Sequence, residues 1–180
     1  RNFPRLIITA KGTRWVEQGY LWIYEGEVIR QEGDCENGGL MDAVSEKGKY
    51  LGTGFFSKYS KIRLRLLSRN ANDRFDAAFW QRRLQYAWDY RKTVMGDDIS
   101  CCRIIFGEAD GFPGLTVDRF SDLLVTQTLS IGMERVKDTV FPLLVELLRQ
   151  DGQEIRGIFE RNDVAIRELE GMAQNKGWYV

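Results

Sequence analysis

Short apolar runs broken by turn residues fill the first third of the chain. Arg5–Ala10 (RLIITA) predicts a strand, with its β-branched residues. Gly12–Gly19 predicts a short helix or turn with Thr13 as N-cap. Tyr20–Tyr24 (YLWIY) is aromatic and apolar, and a turn-rich stretch from Glu32 to Gly39 follows. Leu40–Ser45 predicts a strand, Glu46–Lys49 a tight turn, and Tyr50–Ser57 a second strand holding two glycines. Ile62–Leu67 (IRLRLL) alternates apolar residues with Arg, the period of a half-buried strand. Strands this short and this closely spaced predict a small barrel or sandwich of about 70 residues.

The pattern changes at the polar, aperiodic stretch Arg69–Asp73, which divides the chain into residues 1–73 and 74–180. A helix capped at Asp73 or Asp76 runs to about Met95, with Trp80, Leu84 and Trp88 at i, i+4 and i+8, and Ala77 and Ala87 beside them. Gly96-Asp97-Asp98 ends it. Cys102–Phe106, Leu115–Asp118 and Leu123–Leu129 predict strands, and Met133–Arg149 a helix that Pro142 is expected to kink or split. Ile155–Phe159 predicts another strand. Val164–Glu170 predicts a short helix, with Asn162 or Asp163 as cap and Gly171 as stop. Gly177–Val180 then runs out without a closing element. The expected class is α+β: a small β-barrel, a linker helix, then a mixed α/β domain ordered strand-strand-strand-helix-strand-helix.

Composition narrows the chemistry. The 180 residues hold 26 Lys plus Arg, 26 Asp plus Glu and no His. A His-containing triad and a His-ligated metal are therefore excluded, and a general base has to be a carboxylate, Lys, Tyr or Cys. The three cysteines, Cys35 and the adjacent pair Cys101-Cys102, do not form a disulfide framework and are too few for a Cys₄ zinc site; a reducing cytoplasm is the simpler expectation. In the strand expected there, alternation buries one of the pair and exposes the other. No segment is apolar for the roughly 18 residues a membrane helix needs. The phosphate-binding patterns G-x-G-x-x-G and G-x-x-x-x-G-K-[ST] are absent.

The zero net charge conceals an asymmetry. Between Ser57 and Lys92 stand ten basic residues against three acidic ones, a net +7. Lys58, Lys61, Arg63, Arg65, Arg82 and Arg83 are candidate contacts to a phosphate backbone, interleaved with Tyr59, Trp80, Tyr86, Trp88 and Tyr90, whose rings could stack on bases. The plainer alternative is solvated Arg on element faces with the aromatics in the core. Alternation places Lys61, Arg63 and Arg65 on one face, where their mutual repulsion calls for an anion.

Two acidic clusters follow. Gly107–Phe120 (GEADGFPGLTVDRF) is a turn between strands carrying Glu108, Asp110 and Asp118. It reads either as a base or hard-cation site, or as an Asx-type turn with Arg119 paired to an acid. Phe159–Asp163 (FERND) places Glu160, Arg161 and Asp163 between strand and helix, either as functional groups at a strand end or as a cap with an ion pair.

Gly107–Phe120, Ser130–Asp138 (SIGMERVKD) and Ile158–Gly171 (IFERNDVAIRELEG) together resemble the central region of the large-subunit rRNA methyltransferase I type, which methylates carbon 5 of a cytosine with S-adenosylmethionine. Tyr20–Tyr24, Tyr50–Ser57 and Ile62–Arg65 resemble that family's PUA domain, a small RNA-binding β-barrel. The resemblance implies a PUA-type domain, a central domain, and no Rossmann methyltransferase domain in this chain, the catalytic domain being missing at the C-terminal side. It implies RNA, large-subunit rRNA in particular, as partner, and S-adenosylmethionine for the parent protein with no cofactor, metal or catalytic residue here. Glu108, Asp110, Asp118, Arg119, Glu160, Arg161 and Asp163 would line a substrate cleft, and a homodimer is allowed. A stand-alone RNA-binding adaptor is the alternative, and a carboxylate-dependent enzyme on Glu108, Asp110 and Asp118 is a third reading.

Overall fold

The computed structural model describes residues 2–180. Six strands come first: β1 (Arg5–Ile8), β2 (Trp22–Tyr24), β3 (Val28–Glu32), β4 (Leu40–Ser45), β5 (Tyr50–Phe56) and β6 (Ile62–Ser68). They form one sheet in the order β2-β6-β5-β4-β1-β3. β1 runs parallel to β4, and the other pairs are antiparallel. Its core holds Leu6, Ile8, Met41, Ala43, Phe56, Leu64 and Leu66. β3 has no counterpart among the expected strands, because Val28–Glu32 is a largely exposed edge strand with no buried face to impose alternation. Helix α1 (Ala10–Glu17) is capped by Thr9, whose hydroxyl accepts from the Gly12 N–H at 3.0 Å. The expected cap, Thr13, lies inside the helix.

Helix α2 (Ala77–Met95) starts at Asp76, whose carboxylate accepts from the Phe79 N–H at 3.0 Å. Trp80, Leu84, Ala87 and Trp88 are buried as the spacing requires, whereas Ala77 is exposed. Then come β7 (Cys101–Phe106), β8 (Leu115–Phe120), β9 (Leu123–Thr128), α3 (Ile131–Gln150), β10 (Gly157–Asn162), α4 (Ile166–Leu169) and β11 (Asn175–Trp178). Their sheet is ordered β11-β10-β9-β8-β7, and α3 is the crossover that makes β9 and β10 parallel. Cys101 is exposed and Cys102 buried.

Three expectations change here. α3 runs unbroken through Pro142; one missing N–H is tolerated in a helix anchored by Met133, Val140, Phe141, Leu144 and Leu148. α4 begins at Ile166, and its N-cap residue, Ala165, supplies no side-chain cap. Asn162 instead ends β10, where its Oδ1 accepts from the Thr128 N–H at 2.9 Å. The chain does have a closing element, since β11 pairs antiparallel with β10 and sets Trp178 opposite Phe159. Its sequence, NKGW, carries too little apolar pattern to announce a strand.

The two sheets share apolar packing. Phe55 of β5 and Leu67 of β6 belong to the core formed by α2, α3 and the second sheet. Phe75, which enters α2 with φ 57°, places its ring 4.8 Å from Phe79 and 6.2 Å from Phe3. A bulky residue rarely adopts that backbone conformation, and here the ring is held from both sides.

Candidate nucleic-acid interface

The basic strand β6 meets its anions within the chain. The Arg63 guanidinium donates to Glu25 at 2.9 Å. Arg65 donates to one oxygen of Glu170 at 2.9 and 3.3 Å and to Glu108 at 3.2 Å. Trp22 stands opposite Arg65 in the β2–β6 pairing. The guanidinium lies 5.0 Å from the Trp22 ring centroid, and the indole N–H donates to Glu108 at 3.2 Å. Arg65 is only 8% exposed, so it is a buried bridge between β6, the Glu108 turn and the end of α4. Lys58 and Lys61 are exposed and have no carboxylate within ion-pair distance among the described residues.

Above this bridge lies a strip of aromatic rings. Tyr20, Trp22 and Tyr24 alternate with Leu21 and Ile23, so the three aromatic residues face outward while Ile23 enters the core. The Trp22 and Tyr24 rings meet edge to face at 6.4 Å. Tyr24 is the common wall of two grooves. One, of about 450 Å³, is lined by Trp15, Tyr20, Trp22 and Glu108. The other, of about 470 Å³, is lined by Tyr59, Lys61, Arg65, Leu169 and Glu170. Gly171, at φ 79°, leaves no room for a Cβ against the Tyr59 ring, which fixes the second groove's far wall.

The other candidate residues lie apart from this strip. Arg82 is exposed on α2, 3.7 Å from Asp73. Arg83 donates to the Gly111 carbonyl at 2.7 Å and to the Leu67 carbonyl, with Phe79 4.4 Å below it. Burial pushes its pKa down to about 10. Asp110 is chelated by Arg91 at 2.6 and 3.1 Å and accepts the Phe106 N–H. Asp118 is held by Arg103 at 2.7 Å. Arg119 is buried against the Ser121 and Ile99 carbonyls, and that burial lowers its pKa. Glu160 accepts from Lys137 at 2.8 Å and from Asn162. Arg161 pairs with Asp163 at 2.9 Å. These groups do not converge on one cleft. Asp118 and Arg119 point to opposite faces of β8, and β9 separates β8 from β10. Glu108 alone reaches the aromatic strip. No metal-holding group of carboxylates and thiols occurs among the described residues.

Sequence reasoning misses Trp22 and Tyr24 as exposed rings, and Glu25 and Glu170 as partners of the basic strand. The alternation Tyr20-Leu21-Trp22-Ile23-Tyr24 is a readable signal for the rings. The partner acids lie 38, 43 and 105 positions from their arginines and leave no local signal.

The comparisons fit this geometry. A PUA-like domain model matches residues 6–69. Ribosomal RNA large subunit methyltransferase I of Klebsiella pneumoniae (strain ATCC 700721 / MGH 78578) is 36% identical over 97% of this chain and 43% of its own length. The protein of that name from Enterobacter sp. (strain 638) is 36% identical over 96% of this chain and 43% of its own length. The chain thus spans less than half the length of the curated relatives it matches. Among solved structures, a SAM-dependent methyltransferase from Streptococcus mutans superposes with a TM-score of 0.72 at 18% identity, over 87% of this chain and 40% of its own. Another methyltransferase structure, complexed with SAH, gives the same TM-score at 17% identity. This overturns the expectation that the chain lies outside a methyltransferase domain. A superposition over 87% of the chain takes in the five-stranded sheet and its helices, so a methyltransferase-like fold is present. Missing glycine-rich motifs do not exclude it, because they mark a binding loop and not the hydrophobic spacing that builds a sheet. The chain carries a PUA-like domain and is similar along nearly its whole length to ribosomal RNA large subunit methyltransferases.

Proposed function

We propose that this chain provides RNA recognition for the S-adenosylmethionine-dependent methylation of large-subunit ribosomal RNA at carbon 5 of a cytosine, in the cytoplasm. Residues 1–73 hold the RNA surface, and residues 74–180 support it. One observation carries the reading: Tyr20, Trp22, Tyr24 and Tyr59 stand exposed in one strip beside Lys58 and Lys61. The strip lies on the segment matched as PUA-like, or, for Tyr59 and the lysines, within the same segment. Exposed rings stack on unpaired bases, and free ammonium groups meet phosphates.

The strand-end residues of the second sheet do not fit the methyl donor. Their acids are engaged by Arg91, Arg103 and Lys137. Gly111 and Gly114 are packed against Arg83 and Ser130, closely enough that a Cβ at either would clash.

Fluorescence anisotropy with labelled large-subunit rRNA fragments tests the proposal. Binding is expected, and Trp22→Ala with Tyr24→Ala should weaken it by about 1–3 kcal/mol for each stacking ring removed. Unchanged affinity in a folded double variant would overturn it.

A further inference from the structure

Trp22 sits on a three-residue strand at the edge of the first sheet, where only β6 pairs with it. So short a strand does little to steady a large exposed ring, and side chains do it instead. The indole N–H donates to Glu108 Oε1 at 3.2 Å. The Arg65 guanidinium lies 5.0 Å from the ring centroid and donates to that same Oε1 at 3.2 Å. Trp22, Glu108 and Arg65 thus close a triangle, and Arg65 is anchored in turn by Glu170 at 2.9 and 3.3 Å. Trp22 still lines the groove that Trp15 and Tyr20 share with it.

Glu108 comes from the other part of the chain, in the Gly107–Asp110 turn between β7 and β8. That turn is clamped on its far side. Asp110 is chelated by buried Arg91 at 2.6 and 3.1 Å and accepts the Phe106 N–H, and the Gly111 carbonyl accepts from Arg83 at 2.7 Å. The carboxylate is therefore presented from a fixed backbone. Its charge is the wrong one for a surface that meets phosphates, since a carboxylate beside the strip repels them. Geometry accounts for its place there where charge does not.

We propose that Glu108 is a positioning residue for RNA recognition: its carboxylate holds the Trp22 ring ready to stack on an unpaired base, so that a turn of the second sheet sets the affinity of a surface on the first. The inference rests on the RNA-binding reading above and adds to it a residue that need not touch RNA. A ring already held in place gives up less freedom when a base docks on it, and that saving appears as affinity.

The test measures binding of the labelled rRNA fragment by anisotropy, on variants of the full chain. Through charge alone, Glu108→Ala would tighten binding, because a negative group is removed and Arg65 is partly released. The expected result is the opposite, a weakening of roughly threefold to tenfold, the cost of freezing one side chain on binding. The slope of log affinity against log salt should stay the same, since no phosphate contact is lost. Glu108→Gln keeps an oxygen that accepts the indole N–H and should recover most of the loss. In a Trp22→Ala background, Glu108→Ala should no longer weaken binding. Trp22→Phe keeps a ring but loses the N–H and should weaken binding by a similar factor, which keeps the test decisive if Glu108→Ala proves unfolded. A folded Glu108→Ala variant that binds as tightly as the wild type or more tightly, an equal loss in the Trp22→Ala background, or full affinity in Trp22→Phe overturns the positioning role while RNA binding stands. Failure of the wild type to bind the rRNA fragment overturns the RNA-binding reading itself.

Discussion

The Phe55 ring of β5 lies against Gly132 in the first turn of α3, leaving no space for a Cβ at that glycine. This packing seats an aromatic ring of the first sheet in the core of the second. Gly132→Ala is expected to destabilise the chain by about 1–3 kcal/mol, because neither the ring nor the helix backbone can retreat without loss. Thermal unfolding checks this. A melting temperature equal to that of the wild type would show that the ring and the helix meet more loosely than described.

Arg83 separates structure from binding. It ties α2 to the Gly111 and Leu67 carbonyls. Arg83→Ala leaves these carbonyls without their donor and should cost about 1–3 kcal/mol of stability. Under conditions where the variant remains folded, RNA affinity should stay close to wild type. A selective loss of RNA binding would place Arg83 at the interface after all.

For Lys58 and Lys61 the opposite balance is expected. Both are exposed, so Lys58→Glu with Lys61→Glu should leave the melting temperature nearly unchanged. The variant should bind RNA more weakly, and the slope of log affinity against log salt should shrink by roughly 1 for each phosphate that is no longer neutralised. An unaltered slope would show that these lysines do not meet phosphate.

Tyr179 gives a pH signature. Burial, then the hydrogen bond and charge of Asp138, raise its pKa from 10.0 to about 12. The folded state thus keeps a proton that the unfolded chain loses first. This contribution to stability is fully present below pH 10.0 and is lost as pH rises through about 12. In a phenolate absorbance titration, one of the seven tyrosines should ionise late, and Tyr179→Phe should remove that late step. A titration unaffected by the substitution would contradict the assignment.

Elements with one buried face are legible in the sequence. Trp80, Leu84 and Trp88 announce α2, and Ile62–Leu67 announces β6, because burial imposes a period on residue type. The edge strands β3 and β11 escape because they bury little, so nothing disciplines their pattern. The site is half legible. The charge crowded on β6 correctly calls for an anion, but the anions are Glu25, Glu108 and Glu170, brought in by the fold across long stretches of chain. A sequence read locally registers the demand for a counter-charge and cannot say who meets it.

Phe55 and Leu67 also bear on how such a chain can be recombined. A cut in the polar stretch after Ser68 looks harmless on paper, since hardly an apolar side chain stands there. It would nonetheless strip those two residues from Trp80, Phe112 and Met133 and leave matching oily scars on both pieces. Grafting the front sheet onto another protein therefore requires transplanting the apolar patch of α2 and α3 with it, or repainting Phe55 and Leu67 with polar side chains.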